Sequence, residues 1–201
     1  SGAAPSAPDH LLTLHQVHSS VAVIVDAPFV DSPRADGMAT ATPGLALGAL
    51  AADCMPFLLA DPAAGVIGAA HAGWRGALAG VLEATVDAMT RLGAQPTRII
   101  AALGPCLRQD NFEVGLDLFE AFTSKYPEAE QFFATGVSDE KRQLDLAGFG
   151  RWRLMRVGVE TLDDLGVCTL QQEDRYFSYR GSRRRKAGDY GRNLSGIALP
   201  T

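Results

Sequence analysis

The sequence predicts an α+β fold, a single domain of mixed β-sheets flanked by helices, and three observations predict it. Short β-rich apolar runs recur along the chain, several joined by turns too short to hold a crossover helix. One long segment, 76–92, carries apolar residues at helical spacing. Strands and helices alternate irregularly, without repeat, low-complexity tract or linker, which favours α+β over a doubly wound sheet. A chain of 201 residues suits one domain, or at most two fused lobes, and can bury a core without staples.

In chain order, residues 1–10 read as coil, and a flexible segment is expected over 1–13 ahead of a catalytic domain over 14–201. Residues 21–25, Val-Ala-Val-Ile-Val, read as a buried strand, and the Pro-, Gly-, Asp- and Ser-rich stretch 28–44 as a loop. Three close strands follow at 45–50, 57–60 and 66–70, with Asp61-Pro62 turning the chain between the last two. In the helix 76–92, Leu78, Leu82, Thr85, Met89 and Leu92 form one apolar stripe, with Glu83, Asp87 and Arg91 opposite and Gly93 as terminator. A strand at 98–103 ends in Gly104-Pro105. Helices are expected at about 115–125 and 146–163, and strands at 167–170, 176–179 and 197–199. Between the last two lies a basic, glycine-containing loop, 180–192.

Composition excludes several functions. With 18 basic against 23 acidic residues the net charge is −5, which argues against nucleic acid as a partner, since that contact needs a basic face. No apolar run approaches the roughly 18 residues that span a bilayer, and no signal peptide is evident, so no membrane partner is expected. Cys54, Cys106 and Cys168 are an odd number without framework spacing, so reduced thiols and a cytoplasmic setting are expected, with Cys106 and Cys168 structural. Nothing indicates an oligomeric state.

Three segments carry the chemistry: Leu14-His15-Gln16-Val17-His18 before a strand, Ala52-Asp53-Cys54-Met55-Pro56 between two strands, and Ala70-His71-Ala72-Gly73-Trp74-Arg75-Gly76 at a strand-to-helix junction. Each sets a borderline or soft ligand at a strand end, and the strand ends of one sheet converge on one rim. Two imidazoles and a thiolate suit zinc, with copper as the other candidate, and three protein ligands leave a position for water. A zinc-class ion lowers the pKa of that water towards about 7. By spacing alone the bland reading is favoured: a buried cysteine, structural histidines, and a tight turn with a solvated Arg75. The glycines around Trp74-Arg75 let backbone N–H groups approach an anion, and Arg75 can clamp phosphate or carboxylate.

These residues resemble a known family. Gln16-Val17-His18-Ser19, Ala52 to Pro56 and His71 to Gly76 look like the motifs of the YfiH-type family, whose members are variously named laccase-domain proteins, polyphenol oxidases or purine nucleoside phosphorylases. Asp36-Gly37, Gly104-Pro105-Cys106, Phe112 to Gly115, Leu144-Asp145-Leu146, Cys168-Thr169, Phe177 to Arg180 and Gly191-Arg192-Asn193 follow in family order, across about residues 14–199. The resemblance implies a YfiH-like α+β domain with metal ligands at His18, Cys54 and His71, and His15 is not the motif histidine. It implies phosphorolysis of adenosine, inosine and methylthioadenosine, adenosine deaminase activity, and purine nucleoside and phosphate as partners. Family chains carry several strands before the Gln-Val-His motif; here 15 residues precede Gln16.

Cys54, Asp53 and Arg75 are the candidate catalytic residues. Asp53 is expected either as acid/base or as support for a ligand imidazole, or else as a structural carboxylate. Arg75 and the 180–192 loop are expected to hold phosphate, against a bland reading of Arg183-Arg184-Arg185-Lys186 as a solvated charge run. Four histidines are too few for a multicopper oxidase. A blue-copper electron carrier with Met55 as axial ligand, a metal-free hydrolase pairing Cys54 with His71, and a non-enzymatic binding domain are the alternatives.

Overall fold

The computed structural model describes residues 10–201. The first half runs β1 (His10–Thr13), β2 (Ala22–Ile24), β3 (Gly37–Thr40), β4 (Leu45–Ala51), β5 (Met55–Asp61), β6 (Val66–Ala72), α1 (Trp74–Ala79), α2 (Val81–Arg91) and β7 (Ile100–Leu103). The second half runs β8 (Glu113–Gly115), α3 (Leu116–Lys125), β9 (Phe133–Thr135), β10 (Lys141–Leu144), α4 (Leu146–Arg156), β11 (Thr161–Asp164), α5 (Tyr179–Arg184) and β12 (Asn193–Ala198). The strands form a six-stranded sheet, β11-β7-β5-β6-β3-β2, and two three-stranded sheets, β1-β4-β12 and β8-β10-β9. The six-stranded sheet is mixed: its centre is antiparallel, while β2 runs parallel to β3 and β11 parallel to β7.

The two-residue period of β5 and β6 builds the layers. Met55, Phe57 and Leu59, with Val66, Ala70 and Ala72, pack in one cluster with Leu82, Met89 and Phe149 of the helices. Leu58, Ala60, Ile67 and Ala69 point the other way, into a second cluster with Leu12, Leu45, Leu47 and Ile197 of the sheet β1-β4-β12. The molecule is thus a helix layer, a six-stranded sheet and a three-stranded sheet, an α+β arrangement of mixed sheets as the sequence predicts.

Several local expectations are corrected. Of the segment 1–13, residues 1–9 lie outside the described residues, and His10–Thr13 pair parallel with β4 as β1 rather than forming coil. The strand in 21–25 forms as β2, but at a sheet edge and only partly buried. The expected loop 28–44 contains β3, whose four residues are all buried between β2 and β6. The helix 76–92 is two helices, because Gly80 sits at φ 111° and turns the chain between them. The helix 146–163 stops at Arg156; Gly158 takes φ 86°, and β11 then extends the main sheet.

Residues 167–170 contribute one isolated pairing, Cys106 with Cys168, and not a strand; 176–179 lead into α5, which occupies the start of the expected basic loop. The sheet β8-β10-β9 has no counterpart among the expected elements. No helix among the described residues is long and apolar enough to cross a membrane.

Candidate metal centre and active site

The site forms where the segments flanking β1, β4 and β6 meet. Gln16 fixes the first to the second: its amide accepts from the Leu50 N–H at 2.9 Å and donates to the Leu50 carbonyl at 2.6 Å. His18 sits in the left-handed region at φ 60°, so that consecutive N–H groups turn inwards. Those of Val17, His18 and Ser19 donate to the Asp36 carboxylate at 3.2, 3.0 and 2.6 Å, and the Ser19 hydroxyl donates at 2.8 Å. Asp36 is buried, and the His71 backbone N–H bonds the Asp36 carbonyl at 2.7 Å, so β3 and β6 hold this pair in register.

The Nδ1 atom of His71 lies 2.9 Å from the same carboxylate. That contact places the proton on Nδ1 and leaves Nε2 as the nitrogen with a free lone pair. Burial works against the Asp36 charge, yet the hydrogen bonds from His71, Ser19 and the backbone hold its pKa down at about 2. Asp36 therefore gives the histidines the support that was one of the roles open to Asp53. The Asp53 carboxylate, with Asp53 itself at φ 87°, accepts from the Thr169 hydroxyl at 2.7 Å and from the Arg180 N–H at 2.6 Å, and bonds neither imidazole.

The structure brings His18, Cys54 and His71 together. Their ligand atoms lie within 4.8 Å of one another, with His18 Nε2 3.7 Å from Cys54 Sγ and the two imidazole rings 4.9 Å apart at 78°. A side chain at Gly73 would fill the space between them: its Cβ would stand 2.8 Å from His18 Cδ2 and 2.9 Å from Cys54 Sγ. Burial, then the neighbouring His71, lowers the His18 pKa, which favours the neutral, ligating form. Burial pushes the Cys54 thiol up to about 12, and the charges of Asp53 and Asp36 push the same way. A cation relieves all of this at once, by stabilising the thiolate and offsetting the two carboxylates. The donor set, its spacing and the cradle at Gly73 fit a zinc-class ion.

Two chambers reach this site, both lined by His18 and Cys54. One, about 330 Å³, is lined by Trp74, Leu107, Phe112 and Leu146 together with Asp53, Arg180 and Arg183. The other, about 380 Å³, is more polar and includes Gln16, His71, Tyr190 and Arg192. Arg75 reaches both, its guanidinium 4.3 Å above the Trp74 ring, and no acidic group among the described residues pairs with it.

The basic run divides. Arg183 faces the first chamber, and Arg185 pairs with Glu173 at 2.5 Å. The Arg180 guanidinium is tied to the Asn111 and Glu113 carbonyls at 3.3 and 3.0 Å and lies over the Phe112 ring.

Other expected residues lie elsewhere. His15 is exposed and contacts Arg34 at 3.3 Å, outside the site. Met55 is wholly buried on the helix side of the sheet, near Gly150 of α4, and does not join the triad. Asp36, Tyr179 and Tyr190 are site residues whose roles the sequence did not reveal. The only sequence signal for Asp36 was its place before Gly37 in a motif, which says nothing of a partner 35 residues away.

A family model described as multi-copper polyphenol oxidoreductase laccase matches residues 2–200. A Deinococcus radiodurans protein named purine nucleoside phosphorylase is 41% identical over 200 residues, covering 96% of this chain and 72% of its own. A protein named adenosine deaminase RL5, from an unknown prokaryote, is 32% identical over 200 residues, covering 94% of this chain and 75% of its own. Among solved structures, a Neisseria meningitidis protein titled DUF152 superposes with a TM-score of 0.85 at 37% identity, over 95% of this chain and 75% of its own. YlmD from Geobacillus stearothermophilus gives a TM-score of 0.84 at 28% identity, over 95% and 74%.

Proposed function

The chain belongs to the family described as multi-copper polyphenol oxidoreductase laccase, and from that premise we propose that it is a zinc-dependent enzyme of purine nucleosides. The observation that carries the proposal is the triad His18, Cys54 and His71 at the seam of two chambers lined by aromatic rings and unpaired guanidinium groups. A nucleoside offers a planar base and a polar sugar, and phosphate an anion; the site offers a matching surface for each. The names of the Deinococcus protein and of adenosine deaminase RL5 support the same substrate class.

A zinc ion held by the triad supplies a Lewis acid and a water of lowered pKa. The chain's own residues do the rest. Asp36 orients His71 through Nδ1 and fixes the loop that presents His18. Trp74 and Phe112 give the first chamber its aromatic walls. Arg75 stands where either chamber can deliver an anion to it, which suits phosphate. Asp53, aimed by Thr169 and the Arg180 N–H, is the candidate to take or give a proton. Adenosine, inosine and methylthioadenosine are the proposed substrates of phosphorolysis, and adenosine that of deamination. The free thiols accord with a cytoplasmic setting.

The copper reading draws on the family's descriptive name, but the donors are few. The chain has four histidines, of which two are in the triad, His15 is on Arg34 and His10 is exposed on β1. Buried Met55 offers no axial thioether, so a blue-copper carrier finds no support. The metal-free Cys–His pair fares no better. Cys54 lies among buried and acidic surroundings that hold the proton on sulfur.

The test is the product of adenosine turnover by zinc-loaded protein. With phosphate, phosphorolysis yields adenine and ribose 1-phosphate; without it, deamination yields inosine and ammonia. No turnover of any purine nucleoside by fully zinc-loaded protein would remove the proposal.

A further inference from the structure

We infer that Tyr179 is the aromatic surface on which the purine base rests, a specificity-determining contact of the proposed site; the inference rests on that function. The two chambers share five lining residues: His18, Ala52 and Cys54 of the metal wall, and Arg75 and Tyr179 on the rim. Both chambers that reach the triad are therefore lined by the same guanidinium and the same phenol ring. Arg75 suits the anion, which leaves the ring for the planar partner.

Tyr179 is held in place. It opens α5, whose first turn is capped by the Ser178 hydroxyl, accepting from the Gly181 N–H at 3.0 Å. The next N–H, of Arg180, is bonded at 2.6 Å to Asp53, the neighbour of Cys54. The Tyr179 ring is braced against that of Tyr190, with centroids 5.0 Å apart at 63°. The helix start and the residue beside Cys54 are thus tied through one carboxylate.

Its binding capacity is unused. The residue is 47% exposed, and among the described residues nothing bonds its hydroxyl. Phe177, comparably exposed at 55%, makes the contrast: it lines neither of these chambers and lies over Gly191. A braced, half-open ring inside a concave site presents a stacking face that tolerates any purine.

The experiment compares zinc-loaded wild-type protein with Tyr179→Phe and Tyr179→Ala, measuring zinc content, calorimetric binding of adenosine, and KM and kcat for adenosine and for phosphate. The expected result for Tyr179→Ala is a rise of about tenfold or more in the adenosine Kd and KM, with zinc content and the phosphate KM unchanged. Tyr179→Phe, which keeps the ring, should stay within about threefold of wild type on the same scale. If the alanine variant does not fold, Tyr179→Leu carries the same expectation, since it keeps bulk without a ring. Unchanged adenosine binding in the alanine or leucine variant overturns the inference while the proposed function stands. Loss of zinc together with binding also overturns it, because Tyr179 would then prop the metal wall. If wild-type protein binds no purine nucleoside, the proposed function fails first and the inference with it.

Discussion

The Asp36 carboxylate reaches both histidines of the triad: it accepts the Nδ1 hydrogen of His71 at 2.9 Å and the backbone N–H of His18 at 3.0 Å. One buried side chain thus sets the tautomer of one ligand and the backbone turn that presents the other. It does so from the position just before β3, in the stretch that reads as a loop in the sequence.

Replacing Asp36 by Asn keeps the shape but removes the charge that fixes the His71 proton on Nδ1. Zinc affinity should fall by about 10–100-fold, the usual effect of losing such a partner. Competition with a chromophoric chelator measures this, and an unchanged affinity would mean that Asp36 only braces the loop.

The Gly73→Ala substitution tests the cradle. The added Cβ meets His18 and Cys54 at 2.8 and 2.9 Å, so one of them must move off the ion. Zinc affinity should fall at least about tenfold. Far-ultraviolet circular dichroism should stay unchanged, because Gly73 has an extended backbone that alanine also adopts.

The strands β4, β5 and β6 and the apolar stripe of α2 were legible because long runs of one period leave a clear trace. β3 was not, since four residues among Pro, Gly and Asp show too few alternations to separate strand from turn. The helix break was missed because a single glycine inside a helical pattern is normally tolerated; Gly80 breaks it by taking φ 111°. The donors His18, Cys54 and His71 were legible as chemistry at strand ends, sharpened by the family resemblance. Asp36 was not, because a carboxylate beside a glycine reads as a turn former, and only the β3–β6 pairing brings it to His71. For Asp53 the sequence left acid/base, imidazole support and a structural carboxylate open, because adjacency to Cys54 says nothing of Thr169 and Arg180, the long-range partners that its carboxylate takes.

At Gly80, alanine would meet no atom closer than 3.5 Å, so its cost is conformational. Gly80→Ala should destabilise by about 1–2 kcal/mol, lowering the melting temperature by about 2–8 °C. Zinc content should be retained, because the strain lies beyond α1 from the triad.

Stability in acid should depend on Asp61. Arg98 bonds its carboxylate through Nη2 at 2.8 Å and through Nε, the Gln95 N–H adds 2.9 Å, and these bonds, Arg98 first, lower its pKa to about 2. A depressed folded-state pKa stabilises above the unfolded value near 3.8 and is lost as pH falls towards 2. Urea titration should show Asp61→Asn lowering the unfolding midpoint more at pH 7 than at pH 2.5, where the wild-type advantage is going. Equal losses at both pH values would show that shape, not charge, matters there.

The central claim is that His18, Cys54 and His71 hold one catalytic zinc-class ion. Metal content by mass spectrometry, on wild-type and Cys54→Ser protein purified in parallel and assayed on adenosine with and without phosphate, tests it most directly. The account predicts close to one zinc per wild-type chain, its loss in the variant and the loss of turnover with it. Metal-free wild-type protein that still turns over adenosine would contradict it.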